Sequence, residues 1–317
     1  MVEYYIGKRS KFAYGKEATY SVAPAASAWG YVPIQTVTPS SKSSMTAINI
    51  LDATVTRNVS DYYENLRTFS ASVEGVIQHF AFPSYAWGTD SYSTGTHSIQ
   101  ESDDIPSFSM NFGHMSGTDP HIIELLGGKI NTMKISCEKN DFVKFNAEII
   151  AKTETENPSW RTHYAGSDVT KPYTITELEP YHYSGTTVTI DGDEYCDVES
   201  VSINLNNNLY AEPVLCATNG KRIAEPIPQL REYDAEVTLK MRTTALYDLW
   251  QAGEILAGET SISFAMNSRV LKFTLTDAMI ESAISPLKIT EGLVLVTIPL
   301  KTTQILVTEE NSISQSY

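Results

Sequence analysis

Apolar positions in this chain recur mostly at every second residue. From Ile130 to Glu138, Met133, Ile135 and Cys137 alternate with Lys134, Ser136 and Glu138. After Lys139-Asn140-Asp141, the residues Val143, Phe145, Ala147 and Ile149 alternate with Lys144, Asn146 and Glu148. Successive side chains of a strand point to opposite faces, so this spacing predicts two half-buried strands joined by a short polar turn. Similar alternation predicts strands over 236–241 and 271–276. Thr187-Val188-Thr189-Ile190 followed by Asp191-Gly192 predicts a hairpin whose turn needs the positive φ that glycine supplies. Helical signals are few. Asp119-Pro120, then His121-Ile122-Ile123-Glu124-Leu125-Leu126, then Gly127-Gly128 has the cap, first-turn proline and glycine stop of a two-turn helix. Thr243-Thr244 ahead of 245–252, ending at Gly253, predicts a second short helix. The expected fold class is mainly β.

Two stretches recur in the same order. Leu66-Arg67-Thr68-Phe69-Ser70-Ala71-Ser72-Val73 matches Leu230-Arg231-Glu232-Tyr233-Asp234-Ala235-Glu236-Val237, an offset of 230 − 66 = 164. Ser107-Phe108-Ser109-Met110-Asn111 matches Ser263-Phe264-Ala265-Met266-Asn267, an offset of 263 − 107 = 156. Both offsets are near half the chain length, which points to an internal duplication. The alternation breaks between Thr155 and Thr186, where Pro, Thr and Tyr are frequent. The predicted organisation is an irregular N-terminal arm (1–47), a first β domain (48–155), a linker (156–185), a second β domain (186–305) and a polar tail (306–317).

Composition narrows the function. Of 317 residues 42% are apolar, which argues against global disorder. The longest apolar runs (Leu293–Val296, Val214–Ala217) fall far short of the ~20 residues that span a bilayer. The N-terminus lacks a signal-peptide layout, and Cys137, Cys196 and Cys216 are too scattered for a disulfide framework or a CxxC motif. The expectation is a non-membrane protein made inside the cell. The 23 Lys+Arg against 38 Asp+Glu give a net charge of −15, with no basic cluster beyond Lys8-Arg9 and Lys221-Arg222. Nucleic-acid binding needs such clusters to displace counterions, so that function class is excluded on composition.

Candidate chemistry reduces to structural features. The six histidines show no metal-ligand spacing, and Gly127-Gly128-Lys129 lacks the rest of a phosphate loop. Asp191, Asp193 and Glu194 lack the remaining ligands of a calcium loop and read as a hairpin turn, while Glu101, Asp103 and Asp104 read as a solvated loop. The triplet Asn58-Val59-Ser60 fits glycosylation, without a secretory leader to give it meaning. No catalytic, cofactor-binding or metal residue is assigned, and the protein is expected not to be an enzyme. Aromatics are frequent at predicted loops and element ends: Tyr4-Tyr5, Tyr62-Tyr63, Tyr85, Trp87, Tyr92, Tyr181 and Tyr183. They suit protein contacts or sugar stacking, or pack beneath loops. A two-domain β-sandwich carbohydrate-binding or adhesion module, using Trp87 or Trp160, is therefore the alternative function. A hydrolase using scattered carboxylates has no acid pair at interpretable spacing.

Four segments resemble the tail tube (major tail) proteins of tailed viruses. They are 52–59 with Tyr62 and 69–75; 105–113 with 125–136; Asp197-Val198-Glu199-Ser200-Val201-Ser202-Ile203-Asn204-Leu205-Asn206-Asn207-Asn208; and 285–288 with the closing strand Leu293 to Leu300. The resemblance implies two tandem tail-tube-like β-sandwich or partial-barrel domains, each with a short flanking helix. The first-half counterpart of the 245–250 helix, at 83–87, carries a weak helix signal and is expected to be a helix or a loop. The resemblance further implies a structural virion protein whose rings, lined by a continuous β-barrel, stack into a conduit for DNA ejection into the host. Rings of this kind are mostly hexameric; a duplicated chain would close as a homotrimer of pseudo-sixfold symmetry. Implied partners are further copies of the chain, tail tip or baseplate, tail terminator and tape-measure proteins, with viral DNA passing unbound along an acidic lumen.

Overall fold

Strands with one apolar and one polar face must stack that apolar face on another layer, and this chain does so with two sheets and a short helix between them. The computed structural model describes residues 10–25, 29–32, 34–48, 61–116, 119–156, 179–214, 222–240, 245–281, 288–290 and 293–310. The first half carries β1 (Ser10–Lys16), β2 (Trp29–Tyr31), β3 (Ile34–Ile48), β4 (Asp61–Val76), α1 (Ala81–Ser84), β5 (Gly88–Ser93), β6 (Thr96–Glu101), β7 (Phe108–Ser116), β8 (Asp119–Glu138), β9 (Lys144–Ala151) and β10 (Thr153–Glu156). The second carries β11 (Thr186–Ile190), β12 (Asp193–Tyr195), β13 (Val198–Asn206), β14 (Pro213–Val214), β15 (Arg222–Ile223), β16 (Glu232–Lys240), α2 (Ala245–Ala252), β17 (Thr260–Met266), β18 (Arg269–Thr276), β19 (Met279–Ile280), β20 (Lys288–Thr290), β21 (Leu293–Thr302) and β22 (Gln304–Glu310).

The larger sheet branches at β8. The second part of β8 pairs with β9 and β13, giving the order β3-β4-β9-β8-β13-β16-β21, with β19 and β20 sharing the far side of β21. The first part of β8 pairs instead with β7 and β10, and β7 continues to β1 and β2. The smaller sheet runs β12-β11-β17-β18-β22-β6-β5. The sheets are not closed into a barrel, and a β-sandwich describes them. α1 lies between the layers. Phe82 meets Phe12, Tyr14, Phe108 and Phe145 of the larger sheet at ring separations of 5.7, 5.2, 5.6 and 5.7 Å. Phe80 and Trp87 meet Phe273 of the smaller sheet at 5.5 and 6.2 Å.

The predicted hairpins form as expected. β8 and β9 join through Lys139-Asn140-Asp141, and β11 and β12 through Asp191 and Gly192, at φ 52° and 87°. α2 ends at Gly253, φ 64°. Residues 83–87 supply the last two residues of the four-residue α1 and the turn after it.

Three expectations need correction. The helix expected over 119–126 is the first part of β8, hydrogen-bonded on both sides to β7 and β10. Gly127 (φ 69°) does supply the positive φ that a helix stop would need, but at a bulge. The register slips there between Phe108↔Gly128 and Met110↔Leu125, and the slip is what splits β8 between its two sets of partners. A run of Ile and Leu with ladders available on both edges takes the strand. The arm expected to be irregular carries β1, β2 and β3. β3 is Ser- and Thr-rich and exposed from Ser41 to Ala47 on both faces, so it shows no apolar alternation. The polar tail begins later than expected, since β22 is a central strand of the smaller sheet. Several residues singled out in the sequence lie outside the described ones: 49–60, Trp160, His163, Cys216, Thr243-Thr244, 285–287, and the linker and tail stretches 157–178 and 311–317.

Glu17 secures the branch point. Its buried carboxylate accepts hydrogen bonds from Ser21 N (2.7 Å), Ser107 Oγ (2.8 Å), Ser109 Oγ (2.6 Å) and Gly127 N (2.8 Å). Hydrogen bonds to a charged acceptor contribute more than neutral ones, and three buried donors and one partly buried donor depend on this one group. Removing the whole Phe82 ring should cost about 3–5 kcal/mol. Urea unfolding should therefore show Phe82→Ala destabilised by that amount, whereas Met45→Ala, on the exposed part of β3, should change stability by less than about 0.5 kcal/mol.

Candidate functional site

An open sheet exposes the unpaired backbone of its edge strands, and a proline lies at or next to each end of the larger sheet. Among the described residues β3, which holds Pro39, pairs only with β4, and Pro299 lies in β21, one strand in from the other end, where β19 and β20 pair. Proline is tolerated at sheet edges because its missing N–H can face away from the ladder; the Pro299 carbonyl, on the outer side, accepts from Glu281 N (3.0 Å). Beyond Phe69 the β3–β4 pair projects as a two-stranded ribbon. Met45, Tyr62 and Tyr63 on it are 63, 63 and 57% exposed. A lone ribbon is marginally stable in water, and this one presents aromatic rings and an open edge suited to another surface.

The middle of the same sheet shows how its two sets of strands meet. The pairs from Val37↔Val73 to Lys42↔Thr68 reappear, 164 positions later, as Val201↔Val237 to Asn206↔Glu232. The register slip between Ile34 and Thr36 reappears between Val198 and Ser200. β9 against β4 and β21 against β16 also correspond, Ala71↔Ile149 matching Ala235↔Leu300. α1 and α2 begin at Ala81 and Ala245, again 164 apart. The second sequence match is different: Ser107–Asn111 runs into β7 of the larger sheet, and Ser263–Asn267 into β17 of the smaller one.

Where β8 pairs with β13, a polar knot ties the two sets together. Asn207 donates from its side chain to Ala86 O (3.0 Å) and Ile130 O (2.9 Å), and its Oδ1 accepts from Arg231 Nε (2.7 Å). Arg231, 8% exposed, donates to the Trp87 and Ser102 carbonyls (3.2 and 3.1 Å) and pairs with Glu101 (3.1 Å). A second knot joins β22 to the approach to α1. Glu309, buried, accepts from Phe80 N (3.0 Å) and Tyr181 Oη (2.9 Å). Arg269 stacks on Tyr181 (5.0 Å to the ring centre) and donates to the Gln78 and Glu179 carbonyls. Sequence reasoning assigned no buried role to Asn207, Arg231 or Glu309, although all three lie in segments it singled out, Glu309 in the predicted polar tail.

Residues weighed for chemistry occupy structural places. Asp191 caps a turn by accepting from Gly258 N (2.6 Å). Lys129 is buried against Glu225 (2.7 Å), with Asp104 at 3.7 Å. His97 and Asp90 form a buried pair at 2.8 Å. Among the described residues no group of three or more His, Cys, Asp or Glu could hold a metal ion. Trp87, considered for sugar stacking, is completely buried, as is Tyr181, and Tyr85 is nearly so. Trp87 therefore offers no face to a glycan.

A family model described as phage tail tube protein matches residues 7–317. The chain belongs to the phage tail tube protein family. A search of curated proteins returns no match. Membership makes this a structural protein of the virion tail that assembles with itself into a tube. No helix among the described residues is long and apolar enough to cross a membrane.

The seam between the two sheets of the tail tube fold also sets an acid limit. His79 is fully buried, its Nδ1 accepting from Ala81 N (3.2 Å), and burial, with Arg269 and His97 nearby, pushes its pKa down to about 3. The unfolded ring takes up a proton near pH 6.5 whereas the folded ring stays neutral, so protons favour the unfolded chain between those values. Stability should fall by about 1.4 kcal/mol per pH unit as the pH drops from 6.5 toward 4 through this group. His79→Asn, which keeps a hydrogen-bond acceptor, should flatten the dependence of the urea midpoint on pH over that window.

Proposed function

We propose that this subunit is one tube domain made twice, with a first unit around 48–155 that also takes in β3, and a second around 186–305. Three copies close a homotrimeric ring of pseudo-sixfold symmetry, and rings stack into the conduit for viral DNA ejection. The observation that carries this reading is the shared register of β3–β4 and β13–β16, including the bulge, at one constant offset of 164. Two unrelated hairpins have no reason to slip at the same place. The sheet supplies four strand positions from each unit, β3-β4-β9-β8 and β13-β16-β21 with β20, joined through β8 and β13. The ends at β3 and β20 then pair between copies as β8 and β13 pair within one, which removes those two edges. A ring of six chains is the alternative closure.

The conduit carries DNA without holding it. Three chains bring 3 × (−15) = −45 formal charges to a ring. On the polar side of the large sheet Lys144, Lys240 and Lys301 each face a carboxylate: Asp141 at 2.5 Å, Glu199 at 3.1 Å and Asp234 at 3.9 Å. Lysines neutralised in place are poor phosphate clamps, so a duplex slides past an acidic wall. Tail tip or baseplate, tail terminator and tape-measure proteins are the further partners of this reading. The protein is made in the host cytoplasm and ends in the virion tail.

Negative-stain microscopy of the purified chain tests this reading. Rings and tubes are expected, and Tyr62→Ser/Tyr63→Ser, which strips the exposed ribbon of its rings, should suppress tubes while leaving the monomer melt unchanged. Wild-type protein that stays monomeric at all concentrations, and is absent from tubes isolated from virions, would overturn it.

A further inference from the structure

The junction inside this chain is a template for the junction between chains. We propose that Arg67 and the adjoining end of β4 dock on the α2 face of a second copy, as Arg231 docks at the end of α1 within one chain. The inference rests on the duplicated-ring reading above and adds to it a specific contact. At the offset of 164, Leu66-Arg67 corresponds to Leu230-Arg231, Phe69 to Tyr233 and Ala81 to Ala245.

The two arginines sit in opposite circumstances. Arg231 is 8% exposed and anchored to Glu101, to the Trp87 and Ser102 carbonyls and to Asn207. Arg67 is 53% exposed and pairs with Glu64 (2.9 Å), which the bulge at Asn65 brings to the same side of β4. The two helices differ in the same sense. Every residue of α1 is buried, and the residues flanking it, Phe80, Ala86 and Trp87, are met by Phe273, Asn207 and Arg231 from the other half. On α2 only Leu246 is buried, and Tyr247 is 42% exposed. Nearby Ile255 and Met279, the latter on β19 beside α2, are 54 and 39% exposed. First-half rings pack on Phe82, and the second half of the chain completes the cover at Phe80, Ala86 and Trp87, which flank α1. The corresponding cover for α2 is the first half of a second copy.

The chemistry matches at the point of contact. Trp87, whose carbonyl receives Arg231, corresponds at this offset to Gln251 in the last turn of α2. A helix C-terminus presents free carbonyls with a partial negative charge, which suits a guanidinium. Gly253 N–H already satisfies the Trp250 carbonyl (3.1 Å), and Glu254 follows directly. One element is not repeated: at the register of Glu101 in the β5–β6 hairpin, the β17–β18 hairpin has Thr274. The contact between chains therefore relies on the α2 carbonyls and Glu254.

The test compares Arg67→Glu with Arg231→Ala, and adds the double variant Arg67→Cys/Gln251→Cys in a chain whose Cys196 and Cys216 are serine. Arg231→Ala should lower the melting temperature of the monomer. Arg67→Glu should leave it unchanged and raise the critical concentration for assembly at least about tenfold. Oxidation of assembled double variant should give disulfide-linked dimers and trimers on a denaturing gel. If wild type assembles, Arg67→Glu assembles at the same concentration and no cross-link forms, the docking contact is wrong while the ring stands. If wild type does not assemble at all, the ring reading fails and this contact fails with it.

Discussion

The unpaired backbone at the ends of the large sheet is the constraint on which the rest of this structure turns. A strand edge is a row of donors and acceptors that will pair with whatever fits, so a protein must blunt it, cover it or use it. This chain blunts neither end strongly. One is β3, lengthened into an exposed ribbon, and the other is the short pair β19 and β20 on β21. Pro39 on β3, and Pro299 on β21 one strand in from the other end, each forgo a donor without closing the edge. The chain belongs to a family whose members build tubes, and its sheets are not closed into a barrel; in the proposed reading the edges are where the next subunit pairs.

How one chain comes to present that sheet depends on a few groups around β8. Gly127 and the bulge beside it turn one long strand into a member of two strand sets, and the Glu17 carboxylate holds the turn with four hydrogen bonds. The aromatic layer around α1 then locks the second sheet against the first. Charged and polar knots at Arg231–Asn207 and Glu309–Tyr181 join elements more than a hundred residues apart. The apolar layer supplies most of the stability. The knots fix which surfaces meet, since a buried charge or amide left without its partner is costly.

Much of this was legible in the sequence, and the failures have physical causes. Strands with one wet and one dry face announce themselves by alternation, as β8, β9, β16 and β18 do. β3 does not, because both faces of its outer half meet solvent and nothing in its composition marks a strand. The 119–126 segment was misread because a glycine after an apolar run satisfies a helix stop and a bulge equally well, and only the neighbouring ladders distinguish them. Arg231 was noted only in the repeat and Glu309 only in the polar tail, because their partners are distant in sequence. The first repeat match pointed to corresponding hairpins. The second, five residues of ordinary strand composition, lies in different sheets and carries no such correspondence.

The proposed account makes one domain serve twice, so that the seam between β8 and β13 within a chain stands for the seam between chains. The rotational symmetry of a ring imaged by electron cryomicroscopy tests this most directly. The account predicts three copies of the chain related by threefold symmetry, with the two halves of each related to one another by pseudo-sixfold positions around the lumen. Six chains per ring, with the second half of each lying outside the tube wall, would contradict it.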